Sequence, residues 1–356
     1  MKTESAVYGQ LKIGDLTAEI PVMQGGMGVG ISLSSLAGAV AKEGGIGILS
    51  AAQIGYREPD FDTNPIEANL RAIGTEVAKA REIARGGIIG INIMVATREY
   101  DRYVRAALDA GVDLIVSGAG LPMTLPELAK GYDIKLVPIV SSEKSARVIF
   151  RYWMKKYNRL PDAVVVEGPR AGGHLGFSLS ELTAYENKDA DYDEEIGRIL
   201  AFVKDFSAEK EIPVIIAGGI YDRKDMLHYL SMGASGVQMA TRFVTTYECD
   251  AAQEYKNAYL RARKEDIVIV KSPVGMPGRA ILNPFMKRAG QGQIPHGRCH
   301  LCIGKCNPQE TPYCITEALV NAAKGNVDQA LLFCGSNVYR ADHLETVKDI
   351  MEEFRI

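Results

Sequence analysis

The sequence lacks the features that would place it in a membrane, on nucleic acid or outside the cell. No apolar run reaches transmembrane length, because glycine, lysine and glutamate interrupt every candidate. The net charge of -3 and the lack of a basic stripe argue against nucleic acid as a partner. Residues 1–6 lack the apolar core of a signal peptide. We therefore expect a cytoplasmic protein.

Histidine is scarce, with five residues in 356, and one of them stands out. His174 lies in a glycine-rich turn directly after the β-branched apolar run 164–166, which predicts a strand buried on both faces. The glycines allow backbone to approach a flat or anionic ligand, and imidazole exchanges protons near neutral pH. His174 is therefore a candidate functional residue, with a simple loop hydrogen bond as the alternative.

Short apolar runs alternate with longer amphipathic stretches along the chain. Eight such units over about 250 residues predict an α/β fold, a TIM (β/α)8 barrel. A doubly wound dinucleotide-binding sheet is disfavoured, because residues 25–30 read Gly-Gly-Met-Gly-Val-Gly and depart from GxGxxG. The predicted strands are 20–24, 47–49, 88–93, 113–116, 136–140, 163–166, 214–217 and 236–239. Helical patterns lie between them, for example at 34–43, 66–85, 100–110, 125–131, 143–157, 194–209 and 224–232.

Unusual residues follow the predicted strands, at the end of the barrel where such enzymes build their active sites. Asn92 lies near the end of the third strand, and His174 follows the sixth. Gly218 and Gly219 follow the seventh strand, and Thr241 follows the eighth. Glycines at these last two loops are typical of the barrel phosphate site, where backbone N–H groups hold the anion. The sequence thus predicts a phosphate-bearing cofactor.

Five motifs then occur in a fixed order, at residues 21–27, 39–47, 171–176, 217–220 and 233–243, followed by residues 273–279. Together they resemble the nitronate monooxygenase family, formerly called 2-nitropropane dioxygenase, and its relatives, the FMN-dependent enoyl-ACP reductases of type II. The resemblance covers residues 10 to 290 and implies a barrel that binds FMN non-covalently. It also implies that His174 is the catalytic residue.

The resemblance further implies a set of cofactor contacts. The backbone of Met23, Gln24 and Gly25 would line the flavin ring, with Asn92 nearby. Glu167 and Gly172 would lie along the ribityl chain. The phosphate would be held by Gly218, Gly219, Gln238, Met239, Ala240 and Thr241.

Two chemistries use this arrangement, and the family motifs do not separate them. In the favoured one, the flavin oxidises an alkyl nitronate or nitroalkane and oxygen reoxidises it, while His174 removes a proton or orients the nitro group. In the other, NAD(P)H reduces the flavin, which passes hydride to an enoyl thioester. A third hypothesis is a flavin-binding redox sensor without turnover.

Cysteines cluster near the C-terminus in the pattern CxxCxxxCx7C, formed by Cys299, Cys302, Cys306 and Cys314. Clustered thiols in a cytoplasmic chain suggest a metal, and the close spacing favours a [4Fe-4S] cluster. Zinc, with His296 or His300 as replacement ligands, is one alternative, and reduced thiols that only pack are another. We expect residues 1–290 to form the barrel and residues 291–356 an extension packed on it. The partners expected are a small-molecule substrate and a second copy in a homodimer, with no nucleic acid and no membrane.

Overall fold

Eight parallel strands close into a barrel, which confirms the predicted TIM fold. The computed structural model describes residues 9–206 and 210–356. The strands are β1 (Leu11–Ile13), β2 (Leu16–Ala18), β3 (Val22–Gln24), β4 (Ile46–Ser50), β5 (Ile88–Met94), β6 (Leu114–Gly118), β7 (Lys135–Val140), β8 (Val164–Glu167), β9 (Gly173–His174), β10 (Val214–Ala217), β11 (Gly236–Met239), β12 (Ile267–Lys271) and β13 (Pro277–Ile281). Around the barrel, the order is β10-β11-β3-β4-β5-β6-β7-β8.

Helices surround the barrel and follow most of its strands. They are α1 (Ser34–Lys42), α2 (Pro65–Ala84), α3 (Tyr100–Asp109), α4 (Leu125–Leu128), α5 (Glu143–Tyr157), α6 (Leu179–Glu186), α7 (Tyr192–Phe206), α8 (Arg223–Ser231), α9 (Thr241–Val244), α10 (Gln253–Arg261), α11 (Pro284–Gln291), α12 (Ile315–Ala323) and α13 (Val347–Phe354). No helix within the described ranges is long and apolar enough to cross a bilayer.

The predicted elements agree with the observed ones except at some ends. The first barrel strand begins at Val22 rather than at residue 20, and β8 continues to Glu167. The helix predicted over 125–131 ends at Leu128, before Gly131, whose φ of 91° does not continue a helix. The helix predicted over 194–209 begins at Tyr192, and residues 207–209 lie outside the described part of the chain.

The barrel interior is filled by apolar side chains, and a hairpin closes one end. Leu11 and Ile13 of the β1–β2 hairpin belong to the same buried cluster as Met23 and Ile48 of the barrel strands. A carboxylate on the hairpin turn, Asp15, lies 2.6 Å from the Lys135 ammonium at the start of β7. The hairpin thus covers the end of the barrel where the strands begin, and the cavity that contains His174 lies at the opposite, carboxyl end.

The chain beyond the barrel folds back onto it. β12, β13 and β9 form an antiparallel sheet in which His174 lies opposite Gly278. The last helix, α13, packs its buried face against α1. Arg242, after β11, forms ion pairs of 2.7 Å with Glu345 and Glu353. The C-terminal segment is thus part of the barrel's outer layer, and the boundary at residue 290 stays a prediction.

Candidate active site

One cavity of about 410 Å³ lies at the carboxyl ends of the barrel strands. Its walls contain residues from the loops after the barrel strands and from the later C-terminal segment. Most of the sequence-predicted site residues meet here. Those that line it are Gly25, Asn92, Glu167, Gly172, His174, Gly218, Gly219, Gln238, Met239, Ala240, Thr241 and Cys302.

Met23 and Gln24 are not among the residues that line this cavity, and their contact with a flavin ring stays a prediction. Both lie within β3, whose backbone pairs with β11 and thereby uses its polar groups in the sheet. Met23 packs inside the barrel. The Gln24 amide accepts a hydrogen bond of 3.1 Å from the Ile48 N–H and donates one to the Gly25 carbonyl. The first residue of this segment to reach the cavity is Gly25.

A glycine pair after β10 forms one end of the cavity. Gly218 and Gly219 have φ values of 99° and 82°, which side chains of L-residues rarely adopt. A Cβ atom on Gly218 would also lie 3.0 Å from the Ala171 nitrogen and from the Gly168 carbonyl oxygen. Only glycine leaves backbone exposed to the cavity at this turn, as a site for a phosphate requires.

Residues from the C-terminal segment complete this end, and sequence reasoning missed them. The Asn337 amide donates a hydrogen bond of 2.6 Å to the Gly219 carbonyl, and the Gly335 N–H donates one of 2.9 Å to the Thr241 hydroxyl. Asn337 and Gly335 both line the cavity. They come from far along the chain, after no barrel strand, so the barrel pattern carries no signal for them.

Arg170 is a second residue that sequence reasoning missed at this end. It is exposed, lines the cavity and runs alongside the glycine pair, since a Cβ on Gly219 would lie 2.9 Å from the Arg170 Cβ. A guanidinium beside exposed backbone suits a phosphate group. The sequence does carry a signal for this residue, because Arg170 directly precedes the motif at residues 171–176 that contains His174.

His174 lies in another part of the cavity wall, in a largely buried setting. Burial lowers the pKa of His174 to about 4, so the imidazole is neutral at pH 7. Its Nε2 atom lies 2.7 Å from the Ser272 hydroxyl oxygen. The same oxygen accepts a hydrogen bond of 3.3 Å from the Val274 N–H. The ring packs edge-on against Phe333 at 4.9 Å between centroids. Ser272 and Phe333 therefore fix the position of the imidazole.

A buried arginine holds the loop that carries His174. The Arg279 guanidinium is 3% exposed and donates hydrogen bonds of 2.6 and 2.7 Å to the carbonyls of Pro169 and Ala171. It also donates one of 3.1 Å to the Glu186 carboxylate. Because β13 pairs with β9, these contacts reinforce the same loop.

Glu167 ends β8 and supplies a second titratable group to the cavity. Burial raises the pKa of Glu167 to about 8, so its carboxyl group is protonated at neutral pH. A protonated carboxyl can donate a hydrogen bond to a hydroxyl group. The backbone of Glu167 is held by the Tyr192 hydroxyl, which donates a hydrogen bond of 3.1 Å to its carbonyl.

These features fit FMN. The glycine pair with its neighbouring arginine suits the phosphate, and protonated Glu167 suits the ribityl hydroxyls. Gly25 borders the cavity without crowding, since a Cβ there would meet its nearest neighbour at 3.4 Å. His174 faces the same space and can interact with a reacting molecule.

Of the four clustered cysteines, only Cys302 is among the residues that line the cavity. Cys302 lines the cavity, whereas Cys299 and Cys306 are exposed. Among residues 9–206 and 210–356, no group of three or more His, Cys, Asp or Glu side chains is arranged to hold a metal ion. The structure therefore gives no support to the predicted [4Fe-4S] cluster or to zinc at these four cysteines. His296 hydrogen-bonds to Thr311, and His300 bonds to the Asp62 carboxylate at 2.9 Å.

Comparisons with known proteins agree with this geometry. The chain matches the family model described as nitronate monooxygenase over residues 10–355. It is similar to a probable nitronate monooxygenase from Staphylococcus saprophyticus subsp. saprophyticus, with 27% identity over 316 residues covering 82% of each protein. It is similar in structure to FabK from Thermotoga maritima, with a TM-score of 0.72, 25% identity, and coverage of 95% of this chain and 92% of that one. Nitroalkane oxidase from Streptomyces ansochromogenes gives a TM-score of 0.70, 19% identity and coverage of 95% of both chains, which shows a shared fold.

Proposed function

Because this chain belongs to the nitronate monooxygenase family, we propose that it oxidises alkyl nitronates with oxygen as the electron acceptor. It is a flavin-dependent oxidoreductase, and the members of its family depend on FMN. The finer assignment, the nitronate substrate, is supported by one observation above all. His174 is a neutral, fixed imidazole in the wall of the cavity that fits the cofactor.

The hydrogen bonds of Ser272 are compatible with a His174 tautomer in which Nε2 is the acceptor, and the proposed function uses this tautomer. Its hydroxyl oxygen already accepts the Val274 N–H, so its own hydrogen can be donated to the Nε2 atom of His174. In this arrangement the ring proton lies on Nδ1, which becomes a donor. A neutral donor suits the anionic nitro group of a nitronate, because it binds the negative charge without surrendering a proton.

The remaining residues hold the cofactor and orient it. Bound FMN would accept the electrons of the substrate, and oxygen would reoxidise it. Gly218, Gly219 and Thr241 would hold its phosphate with backbone and hydroxyl groups, and Arg170 would balance the charge. Protonated Glu167 would donate a hydrogen bond to a ribityl hydroxyl. His174 would then orient the nitro group so that the reacting carbon faces the flavin.

Reduction of an enoyl thioester by NAD(P)H is the second candidate function. The structural similarity to FabK, an enoyl-ACP reductase, favours it. In this reaction the same Nδ1–H of His174 would donate a hydrogen bond to the thioester carbonyl. The two candidates differ in their electron donor: the nitronate is its own donor, whereas the enoyl thioester requires a reduced nicotinamide.

Oxygen uptake and nicotinamide oxidation by the FMN-loaded protein test these candidates. We expect propyl-2-nitronate to drive oxygen uptake without any nicotinamide. NADH or NADPH with crotonyl-CoA should leave both the nicotinamide and the thioester unchanged. Nicotinamide oxidation that depends on crotonyl-CoA, with no oxygen uptake on the nitronate, would overturn the proposal in favour of the reductase. His174→Ala, loaded with FMN, is the control that separates catalysis from adventitious flavin chemistry.

A further inference from the structure

A short C-terminal segment, residues 335–340, lies against the end of the cavity that suits a phosphate; we term this segment the clasp. Three consecutive residues of the clasp each donate a hydrogen bond to a different loop after a barrel strand. The Gly335 N–H donates to the Thr241 hydroxyl at 2.9 Å, the Ser336 N–H to the Arg170 carbonyl at 3.1 Å, and the Asn337 side-chain amide to the Gly219 carbonyl at 2.6 Å. The clasp therefore connects the loops after β11, β8 and β10, which together form this end of the cavity.

An arginine at the far end of the clasp provides a second attachment. The Arg340 guanidinium lies 2.6 Å from the Asp222 carboxylate and 3.3 Å from the Asp225 carboxylate. It also stacks on the Tyr221 ring, with 4.5 Å between the guanidinium carbon and the ring centroid. Tyr221 and Asp222 follow the glycine pair after a single intervening residue. Two attachments, through Asn337 and through Arg340, therefore join the clasp to the chain that follows β10.

The hydrogen bond of Asn337 leaves one of its donors unused. Because the Gly219 carbonyl can only accept, the Asn337 atom that faces it must be the amide nitrogen, which carries two hydrogens. One hydrogen is used in this bond, and the second has no acceptor within residues 9–206 and 210–356. Asn337 lines the cavity, so this second N–H is available to a ligand bound there.

The clasp also sets the direction of the Thr241 hydroxyl. The Thr241 oxygen accepts the Gly335 N–H, so its own hydrogen can be donated to a ligand in the cavity. This contact requires a glycine at position 335, because a Cβ atom there would lie 2.7 Å from the Thr241 hydroxyl oxygen. The clasp thus places two side-chain donors, those of Thr241 and Asn337, at one end of the cavity.

We propose that the clasp is part of the phosphate site and that Asn337 donates its second amide hydrogen to the phosphate of FMN. This inference rests on the cofactor of the proposed function and not on the identity of the substrate. A phosphate group has acceptor oxygens on several sides, so donors from separate loops can bind it together. Holding those loops in a fixed arrangement lowers the cost of ordering them when the ligand binds. The clasp supplies both an additional donor and that fixed arrangement.

The proposal links FMN binding to the docking of the clasp. If the phosphate binds more tightly when the clasp is docked, bound FMN must stabilise the docked clasp by the same factor. Arg340 provides a test of this link, because it attaches the clasp to Asp222 but is not among the residues that line the cavity. A change at Arg340 can therefore affect FMN only through the clasp and the loop to which it is attached.

The affinities of the full chain for FMN and for riboflavin, which lacks the phosphate, test the role of Asn337. We expect Asn337→Leu, a change of similar size, to lower FMN affinity about 10-fold, because a hydrogen bond to a charged group is lost. Riboflavin affinity should stay at the parent value. Equal losses for the two flavins would overturn the proposal, as would unchanged FMN affinity. A parent chain that binds neither flavin would overturn the cofactor assignment, and the proposal with it.

Arg340→Met tests the link between the clasp and the cofactor. We expect FMN affinity to fall about 2- to 5-fold, since a half-exposed ion pair is weak. Hydrogen exchange at residues 335–340 of the parent should slow when FMN is added. Arg288→Met is the matched control, because Arg288 bonds to the Asp328 carbonyl and to Gln329, outside the clasp. Equal FMN affinity in the two variants, or exchange that FMN leaves unchanged, would contradict the link.

Discussion

The phosphate end and the histidine side of the cavity are built in different ways. At the phosphate end, backbone groups of Gly218 and Gly219 face the cavity, and their left-handed conformations leave glycine as the residue that fits. On the histidine side, a side chain acts, and other side chains hold it: Ser272 by a hydrogen bond and Phe333 by packing. The phosphate end therefore depends on the backbone conformation of its glycines, whereas the histidine side depends on the chemical groups of its side chains.

Because the two regions are built differently, substitutions in them should separate cofactor binding from turnover. A substitution at the phosphate end alters the backbone that holds FMN, so it should lower flavin content. A substitution on the histidine side leaves that backbone alone, so it should lower turnover while FMN stays bound. Substitutions in the two regions should therefore have opposite effects on flavin content and on turnover.

The largest effect is expected from His174→Ala. Removing one preorganised hydrogen-bond donor to a developing or bound anion lowers turnover about 10²–10³-fold. We expect this loss in kcat/KM for propyl-2-nitronate, with the FMN content per chain unchanged. Flavin absorbance and steady-state oxygen uptake on the same sample measure both quantities. Wild-type activity in the variant would remove His174 from the mechanism.

Gly218→Ala should produce the opposite pattern. A left-handed conformation costs an L-residue about 1–2 kcal/mol, and the added Cβ would press on backbone at 3.0 Å. We expect FMN affinity to fall at least about 10-fold. When FMN is in excess, kcat should recover toward the wild-type value. Titration of apoprotein with FMN measures the affinity. Gly74→Ala is the matched control, because Gly74 lies in a helix with open space around it.

Ser272→Ala should have a smaller effect, confined to the histidine side. The loss of one neutral hydrogen bond costs about 1 kcal/mol, which corresponds to a decrease of about 5-fold in kcat/KM. Ser272 acts by positioning His174, so the acid limb of the pH profile should also move. In the wild type, His174 stays neutral until the pH falls to about 4, and activity should persist to that value. An unchanged rate and an unchanged acid limb would contradict the positioning role.

Glu167→Gln should show the smallest effect at neutral pH and a clear one in alkali. The pKa of Glu167 is raised to about 8, so its carboxyl is protonated below that value and donates a hydrogen bond. FMN affinity should therefore hold at pH 6 to 7 and fall by up to about 10-fold per pH unit above 8. The glutamine variant keeps a donor at every pH and should show a flat profile. Parallel profiles for the two proteins would contradict the role of the proton.

The sequence predicts the phosphate end better than the histidine side. Gly218, Gly219 and Thr241 follow consecutive barrel strands, so strand counting alone finds them. Asn337 reaches the cavity, and Ser272 reaches His174, through tertiary folding of the later chain, which no local sequence pattern predicts. Met23 and Gln24 lie within β3, whose backbone pairs with β11, and their contact with the flavin ring stays a prediction.

The alternation of apolar runs with amphipathic stretches is sufficient to predict the barrel fold, because turn residues flank each buried strand. The ends of strands are predicted less well. Glu167, for example, is polar but still belongs to β8. The neutral state of His174 could not be predicted either. It follows from burial by Phe333 and the β9–β13 pairing, which are contacts between distant parts of the chain.

Anaerobic stopped-flow spectroscopy of the FMN-loaded protein tests the central claim most directly. The visible band of the oxidised flavin is followed after mixing with propyl-2-nitronate, NADH or NADPH in separate runs. We predict rapid loss of this band with the nitronate, none with either nicotinamide, and a loss about 10²–10³-fold slower in His174→Ala. Rapid bleaching by NADH or NADPH, with no response to the nitronate, would contradict the account and assign the enzyme to the reductases.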